Sequence, residues 1–176
     1  MIPMKYRPIH YNFIAKNIIE ESREVIAKSV GAIPSEIIFT SGATEAITLA
    51  IKGFCEKNKD KGLHVITQST EHKAVLDTCS AMKKNGWKLT ILPVENDGLV
   101  SLDKINDSIN GETVLISIMH ANNEIGSINN ILEIGKICRE RNIRFMVDAA
   151  QSFGRLPIDV DLMNCLLYTS PSPRDS

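Results

Sequence analysis

Arg144-Phe145-Met146-Val147-Asp148-Ala149-Ala150-Gln151 is the stretch whose reading decides the fold of this chain. Three consecutive apolar residues, Phe145 to Val147, form a short run of the kind that makes a buried strand, and the run ends in a carboxylate. A carboxylate at the end of a core strand is costly unless a cation or a hydrogen-bond donor meets it. In open parallel α/β sheets, ligands sit at the carboxyl ends of the strands. Asp148 therefore marks a candidate binding edge. The same residue can instead cap a following helix through the N–H groups of Ala149 or Ala150. Spacing alone leaves both readings open.

Outward from this stretch, strand and helix patterns alternate. Residues 10–30 carry Ile14, Ile18, Val25 and Ile26 near helical spacing, with Gly31 placed to end the helix. Residues 36–40 are a strand candidate that delivers Ser41-Gly42-Ala43-Thr44-Glu45 onto a helix running to Gly53. A charged loop over residues 57–62 leads to a strand at 63–67. Ser69-Thr70-Glu71-His72 then opens a helix from Lys73 to Lys84, stopped by Asn85-Gly86. Residues 87–92 form the next strand, and Asn96-Asp97-Gly98 is a turn. Ser101 caps a short helix bearing Leu102, Ile105 and Ile109. Residues 113–118 are the most β-rich run, and a helix over 130–141 feeds the strand at Asp148. Several strands are apolar nearly throughout, as expected when helices cover both faces of a sheet. The fold class is α/β, with a mostly parallel sheet flanked by helices.

Composition narrows the function. The 176 residues are 43% hydrophobic and 23% charged with a formal net charge of −1, so bulk electrostatics gives no pull toward nucleic acid or an anionic membrane. No apolar run reaches the length of a membrane span. The N-terminal residues lack the hydrophobic core of a signal peptide, which leaves a cytoplasmic location as the expectation, with an organelle not excluded. Cys55, Cys79, Cys138 and Cys165 include no C-x-x-C pair, and no metal site is expected. The first three fall within helical patterns and read as packing residues. Residues 165–176, with two prolines and four Ser or Thr, break the α/β pattern. They resemble one reading frame of a transposase adapter used in sequencing libraries. The expected organisation is a partial domain over residues 1–164, followed by a non-native tail.

Four clusters carry chemistry. Ser41 to Glu45 brings a small glycine-containing turn to a helix N-terminus, where free N–H groups and the helix dipole suit a phosphate; a simple Ser-capped helix start looks the same. His72, at a strand-to-helix junction, suits a base, a stacking surface for a ring, or a structural histidine. Asn122 and Asn123 can close a loop or hold a polar ligand group. Asp148, with Gln151 three residues later, suits a heteroaromatic nitrogen and a phenolic oxygen. Together these clusters fit a phosphate-bearing aromatic cofactor, pyridoxal 5'-phosphate.

The runs Ile38-Phe39-Thr40-Ser41-Gly42-Ala43-Thr44-Glu45, Thr70-Glu71-His72-Lys73-Ala74-Val75-Leu76-Asp77-Thr78-Cys79, Asn122-Asn123-Glu124-Ile125-Gly126 and Asp148-Ala149-Ala150-Gln151-Ser152 closely resemble cysteine desulfurases of the NifS/IscS type. The resemblance covers residues 7 to 164. It implies the large domain of a fold type I pyridoxal-phosphate enzyme of the class V aminotransferase superfamily, normally a homodimer. It implies phosphate contacts at Ala43 and Thr44, ring stacking and proton transfer at His72, and Asn123 near the ring oxygen or the substrate carboxylate. Asp148 would meet the ring nitrogen and Gln151 the ring oxygen. The family takes sulfur from L-cysteine to give L-alanine and an enzyme persulfide, which passes to an iron–sulfur scaffold or a tRNA-thiolation partner. No direct nucleic-acid or membrane contact is implied. The sequence departs from the pattern in three ways, the first being that the family's usual N-terminal strand is absent before Tyr6. The family's anchor lysine and sulfur-accepting cysteine are missing, so the chain as written is expected to be inactive. Met146 also stands where many relatives have histidine or threonine. A selenocysteine lyase, another aminotransferase of the class, or a non-catalytic scaffold subunit are the alternatives.

Overall fold

The computed structural model describes residues 7–165 and 167–169. They fall into two units that meet between Phe39 and Thr40. In the first, α1 (Arg7–Val30) ends where Gly31 adopts a φ of 75°, and the Ala32 N–H closes back onto the Ala27 carbonyl at 2.9 Å. This is the glycine stop expected for that helix. A 3₁₀ turn, Pro34–Glu36, follows, with the Glu36 carboxylate accepting the Ile33 N–H at 2.9 Å.

The strand expected over residues 36–40 does not form. Residues 37–40 lie outside any regular element and pair with no other strand among the described residues. A strand needs a ladder partner for its polar backbone groups. Here the Ile37 carbonyl is met by the Arg23 guanidinium, which also lies 5.0 Å from the centre of the Phe39 ring.

The second unit is built on a parallel sheet. Its strands are β1 (His64–Gln68), β2 (Lys88–Leu92), β3 (Thr113–Met119), β4 (Arg144–Asp148) and β5 (Leu167–Thr169), in the order β2-β1-β3-β4-β5. Every pair is parallel. The connecting helices are α2 (Ala43–Asn58), α3 (Lys73–Lys84), α4 (Leu102–Ser108) and α5 (Ile131–Glu140). Side chains along a strand alternate between faces, and the two cores follow that alternation. Val65, Leu115 and Met146 pack against Ile47 and Ile51 of α2 and Val75 and Cys79 of α3. Ile66, Ile116, Phe145 and Val147 pack against Ile105 of α4 and Ile134 and Cys138 of α5. Strands β1 and β3 are buried along their whole length because helices cover both sides.

Helix starts and stops match local chemistry. The side chains of His72, Ser101 and Asn130 accept N–H groups at the starts of α3, α4 and α5. Helix α2 runs past Gly53, its expected end, to Asn58. An interior glycine costs about 1 kcal/mol relative to alanine, and the next turn buries Cys55 against the sheet. A second difference concerns the tail, which was expected to leave the α/β pattern. Leu167 to Thr169 instead extend the sheet beside residues 146–148, and the Ala149 N–H donates to the Thr169 carbonyl at 3.0 Å. Without this strand, the outer side of β4 would present unpaired backbone groups.

Gly135 in α5 lies where a Cβ would collide with the Met163 carbonyl. Intrinsic helix propensity favours Gly135→Ala by about 1 kcal/mol, whereas overpacking against backbone costs about 1–3 kcal/mol. The variant is expected to lose stability, measured as a lower urea midpoint with an unchanged slope.

Candidate functional site

Helix α3 follows β1 directly, so its N-terminus stands at the carboxyl edge of the sheet. Helix α2 runs the same way. At its far end, Phe54 and Asn58 line a cavity together with Thr113 and Arg144, the first residues of β3 and β4. Near its start, Thr48 Oγ1 lies 3.2 Å from Thr78 Oγ1 of α3. Each threonine is five residues beyond the first residue of its helix, 43 to 48 and 73 to 78. The two N-termini therefore emerge side by side on one face, above the ends of β1, β3 and β4.

The start of α2 is open. Gly42, its N-cap, has no side-chain oxygen to offer, and the Ala43 and Thr44 N–H groups have no acceptor among the described residues. The Glu45 carboxylate turns back to Ser41, taking its N–H and its hydroxyl at 2.6 Å each. These bonds hold its carboxyl below the usual range. Thr44 is exposed. Two free N–H groups, a hydroxyl and the positive end of a 16-residue helix make this a fit place for a phosphate.

Asp148 closes β4 and is only 2% exposed. Its Oδ1 accepts the Ala150 N–H at 3.0 Å and the Thr169 hydroxyl at 3.3 Å, while Oδ2 has no hydrogen bond among the described residues. Residues 150–155 form turns, so the backbone bond to Ala150 is a local turn closure and caps no helix. Burial pushes the carboxyl above its ordinary range; the two hydrogen bonds and the nearby His72 pull the other way. His72 is exposed, and its Nδ1 accepts the Ala74 N–H at 3.2 Å. In the neutral ring this fixes the proton on Nε2.

Ala43, Thr44, His72 and Asp148 are thus brought to one edge. The other two candidates stand further from a defined role. Asn123 is exposed in the turn after β3. Its neighbour Asn122 is the buried amide: it donates to the Thr70 carbonyl at 2.9 Å and accepts the Glu124 and Ile125 N–H groups. Gln151 is half-buried, and its Oε1 accepts from Arg155 at 3.2 Å.

Sequence reasoning missed three residues. Glu71 is buried, with Oε1 accepting the Met119 N–H at 2.6 Å. Burial drives its carboxyl well up, and the charge of Asp148 adds to the effect. His120 is buried with Nδ1 unpartnered among the described residues, and burial lowers its basicity. Asn129 ties the ends of β1 and β3 to the segment before α4, through the Gln68 amide oxygen, the Met119 carbonyl and the Val100 N–H. Polar residues clustered just after strand ends were the available signal, but burial does not show in sequence.

Other features carry less chemistry. Burial pushes the thiols of Cys55, Cys79 and Cys138 up to about 12, which makes them packing groups. The 710 Å³ cavity at the opposite edge is lined by exposed Lys61, Arg141 and Arg144 rather than by a buried reactive group. Among the described residues, no cluster of His, Cys, Asp or Glu could hold a metal, and no helix is long and apolar enough to cross a membrane.

A parallel sheet with an open helix mouth and a buried carboxylate at its carboxyl edge defines an α/β ligand-binding domain of the fold type I class. More narrowly, the chain belongs to the aminotransferase class-V family, whose profile matches residues 8–172. It is 52% identical over 157 residues to the cysteine desulfurase IscS of Vibrio campbellii, covering 89% of this chain and 39% of that protein. It is 47% identical to a mitochondrial cysteine desulfurase of Arabidopsis thaliana, of which it covers 35%. Among solved structures, SspA in complex with cysteine superposes with a TM-score of 0.88 at 44% identity, over 91% of this chain and 46% of that one. A NifS-like protein gives 0.87 at 34% identity, over 91% and 44%. The chain thus spans less than half the length of these relatives.

The Asp148 shift has a thermodynamic sign. A carboxyl raised by folding contributes stability that is complete below its ordinary value of 3.8 and is lost as pH rises through the folded value. Asp148→Asn removes that loss. The stability of the variant relative to the parent is expected to improve as pH rises above about 4 and to level off beyond the folded value, read from urea midpoints. A gap that stays constant with pH would contradict the burial-driven shift.

Proposed function

We propose that this chain is the cofactor-binding part of a pyridoxal 5'-phosphate-dependent cysteine desulfurase. The observation that carries the reading is the meeting, at one sheet edge, of a buried carboxylate with one free oxygen and an uncapped helix N-terminus. The residues fit the cofactor. Asp148 Oδ2 needs a cationic or N–H partner, and a protonated ring nitrogen is one. The Ala43 and Thr44 N–H groups and the Thr44 hydroxyl need acceptors, and a phosphate supplies them.

When bound, pyridoxal phosphate supplies an electron sink that weakens bonds at the α-carbon of an amino acid. The chain's residues do the holding. Asp148 keeps a proton on the ring nitrogen. Ala43 and Thr44 anchor the phosphate. His72, fixed by its bond to Ala74, presents a flat ring and an Nε2–H for stacking and proton transfer. Asn123 and Gln151 offer amides to the ring oxygen or the substrate carboxylate.

The substrate of the whole enzyme is L-cysteine, in keeping with SspA in complex with cysteine. The products are L-alanine and an enzyme persulfide, destined for an iron–sulfur scaffold or a sulfur-acceptor protein. The relatives named IscS support that destination. The whole enzyme is read as a homodimer; exposed Phe13, Ile18 and Val25 on α1 give apolar surface for further contacts. Bacterial and mitochondrial relatives support a cytoplasmic or mitochondrial setting.

Absorbance and fluorescence titration with pyridoxal phosphate tests the reading. Removing a charged hydrogen-bond partner costs about 1.5–3 kcal/mol, so Asp148→Asn is expected to weaken binding roughly 10- to 150-fold. Thr44→Ala should weaken it less. No binding by the parent chain, or equal binding by parent and Asp148→Asn, would count against the proposal. The chain has no lysine after Lys136, and it is expected to release no alanine from cysteine above the rate with free cofactor.

A further inference from the structure

Asn122 lies just past the end of β3, buried, with every polar group it owns in a hydrogen bond. Its N–H donates to the Ser127 carbonyl at 2.9 Å, and its carbonyl accepts the Gly126 N–H at 3.2 Å. Its Oδ1 accepts two N–H groups, from Glu124 at 2.8 Å and from Ile125 at 2.9 Å. Its Nδ2 donates to the Thr70 carbonyl at 2.9 Å, across 52 residues of sequence, and lies 3.4 Å from Met119 Sδ. The two N–H groups on Oδ1 settle which way the amide points, with its nitrogen toward Thr70.

These bonds do two separate things. The backbone groups and Oδ1 close the loop after β3. The bridge between Ala121 and Ile128, and the Asn129 N–H on the His120 carbonyl, close it as well. The Nδ2 bond adds nothing to that closure. It reaches instead to the connection between β1 and α3, where Thr70 stands two residues before His72. The His72 ring is pinned to the start of α3 by the Ala74 N–H on its Nδ1 at 3.2 Å. Asn123, the next residue along from Asn122, is exposed in the turn. One buried amide therefore fastens the connection that carries His72 to the loop that carries Asn123. Aspartate at 122 would lack the donor, and serine would lack the reach.

We propose that Asn122 is a positioning residue that sets His72 against Asn123 at the carboxyl edge of the sheet. Asn122 touches no ligand, because its own groups are all spent within the protein. The proposal rests on the cofactor reading for the identity of the ligand that His72 and Asn123 meet. The tie between the two loops belongs to the protein alone.

The test is titration of the 176-residue chain with pyridoxal phosphate, followed by absorbance. Asn122→Ser is compared with the parent, and the same change is made in a His72→Ser, Asn123→Ala background. Serine at 122 keeps an oxygen for the nearby N–H groups of the turn. Serine at 72 keeps a cap on α3 and removes the ring. Asn122→Ser is expected to weaken binding about threefold or more, the scale of coupling within one hydrogen-bond network. In the His72→Ser, Asn123→Ala background it should have no further effect, whereas a purely structural asparagine would cost the same in both. Unchanged affinity, or an equal loss in the two backgrounds, would overturn the proposal. Should Asn122→Ser not fold, Asn122→Asp keeps the acceptor for Glu124 and Ile125 and sets an oxygen against the Thr70 carbonyl, with the same pattern expected. ¹⁵N NMR separates the proposal from the cofactor reading. In Asn122→Ser the N–H signals of residues 70–74 should move, while the Asn129 N–H keeps the exchange rate it has in the parent. A parent chain that binds no pyridoxal phosphate would remove the cofactor reading; moved signals over residues 70–74 would then uphold the tie, and unmoved ones would overturn it too.

Discussion

The ladder between β3 and β4, in which Met119 and Asp148 are partners, is the contact on which the candidate site depends. It sits in the middle of a sheet covered on both faces, so neither strand can slip without turning its apolar side chains the wrong way. That register fixes three things together. The Met119 N–H takes Glu71, the Asp148 carbonyl takes the His120 N–H, and the Asp148 side chain is left at the edge with one oxygen free.

Helix direction supplies the rest. Because α2 and α3 lie side by side on one face, their open and capped N-termini meet the same strand ends. The difference between the two starts matters. Helix α3 is closed by His72, whereas α2 has glycine at the cap and a first-turn glutamate bonded to Ser41. One helix positions a side chain and the other leaves backbone donors unspent. A site with a buried anion and free backbone donors at one sheet edge suits a ligand that is cationic at one end and anionic at the other.

Much of this was legible from residue order. The apolar runs around Ile66, Ile116 and Val147, and the capping residue Ser101, stand where local chemistry put them. Helix α3 has the bounds its pattern implied. His72 and Asp148 stood out because they follow strand ends, Ala43 and Thr44 because a small glycine-containing turn opens their helix. What failed depended on partners distant in sequence. Residues 36–40 have strand composition and no ladder among the described residues, whereas Leu167 to Thr169, in a proline-flanked tail, found one beside β4. Glu71 was passed over because a glutamate before a helix looks like a solvated residue. Its burial arises only when Met119 comes to it across the fold.

Gly135 has a reach beyond its own helix. Its missing side chain lets the Met163 carbonyl lie directly on α5. Met163 is itself buried in the core between α5 and the sheet. The segment thus clamped is the approach to β5, whose Thr169 hydroxyl is one of two donors on Asp148. Clearance at a helix surface thereby governs how closely the chain around Met163 packs on α5. A methyl group at position 135 would push the Met163 carbonyl off α5 and open the core that Met163 shares with Ile134 and Phe145.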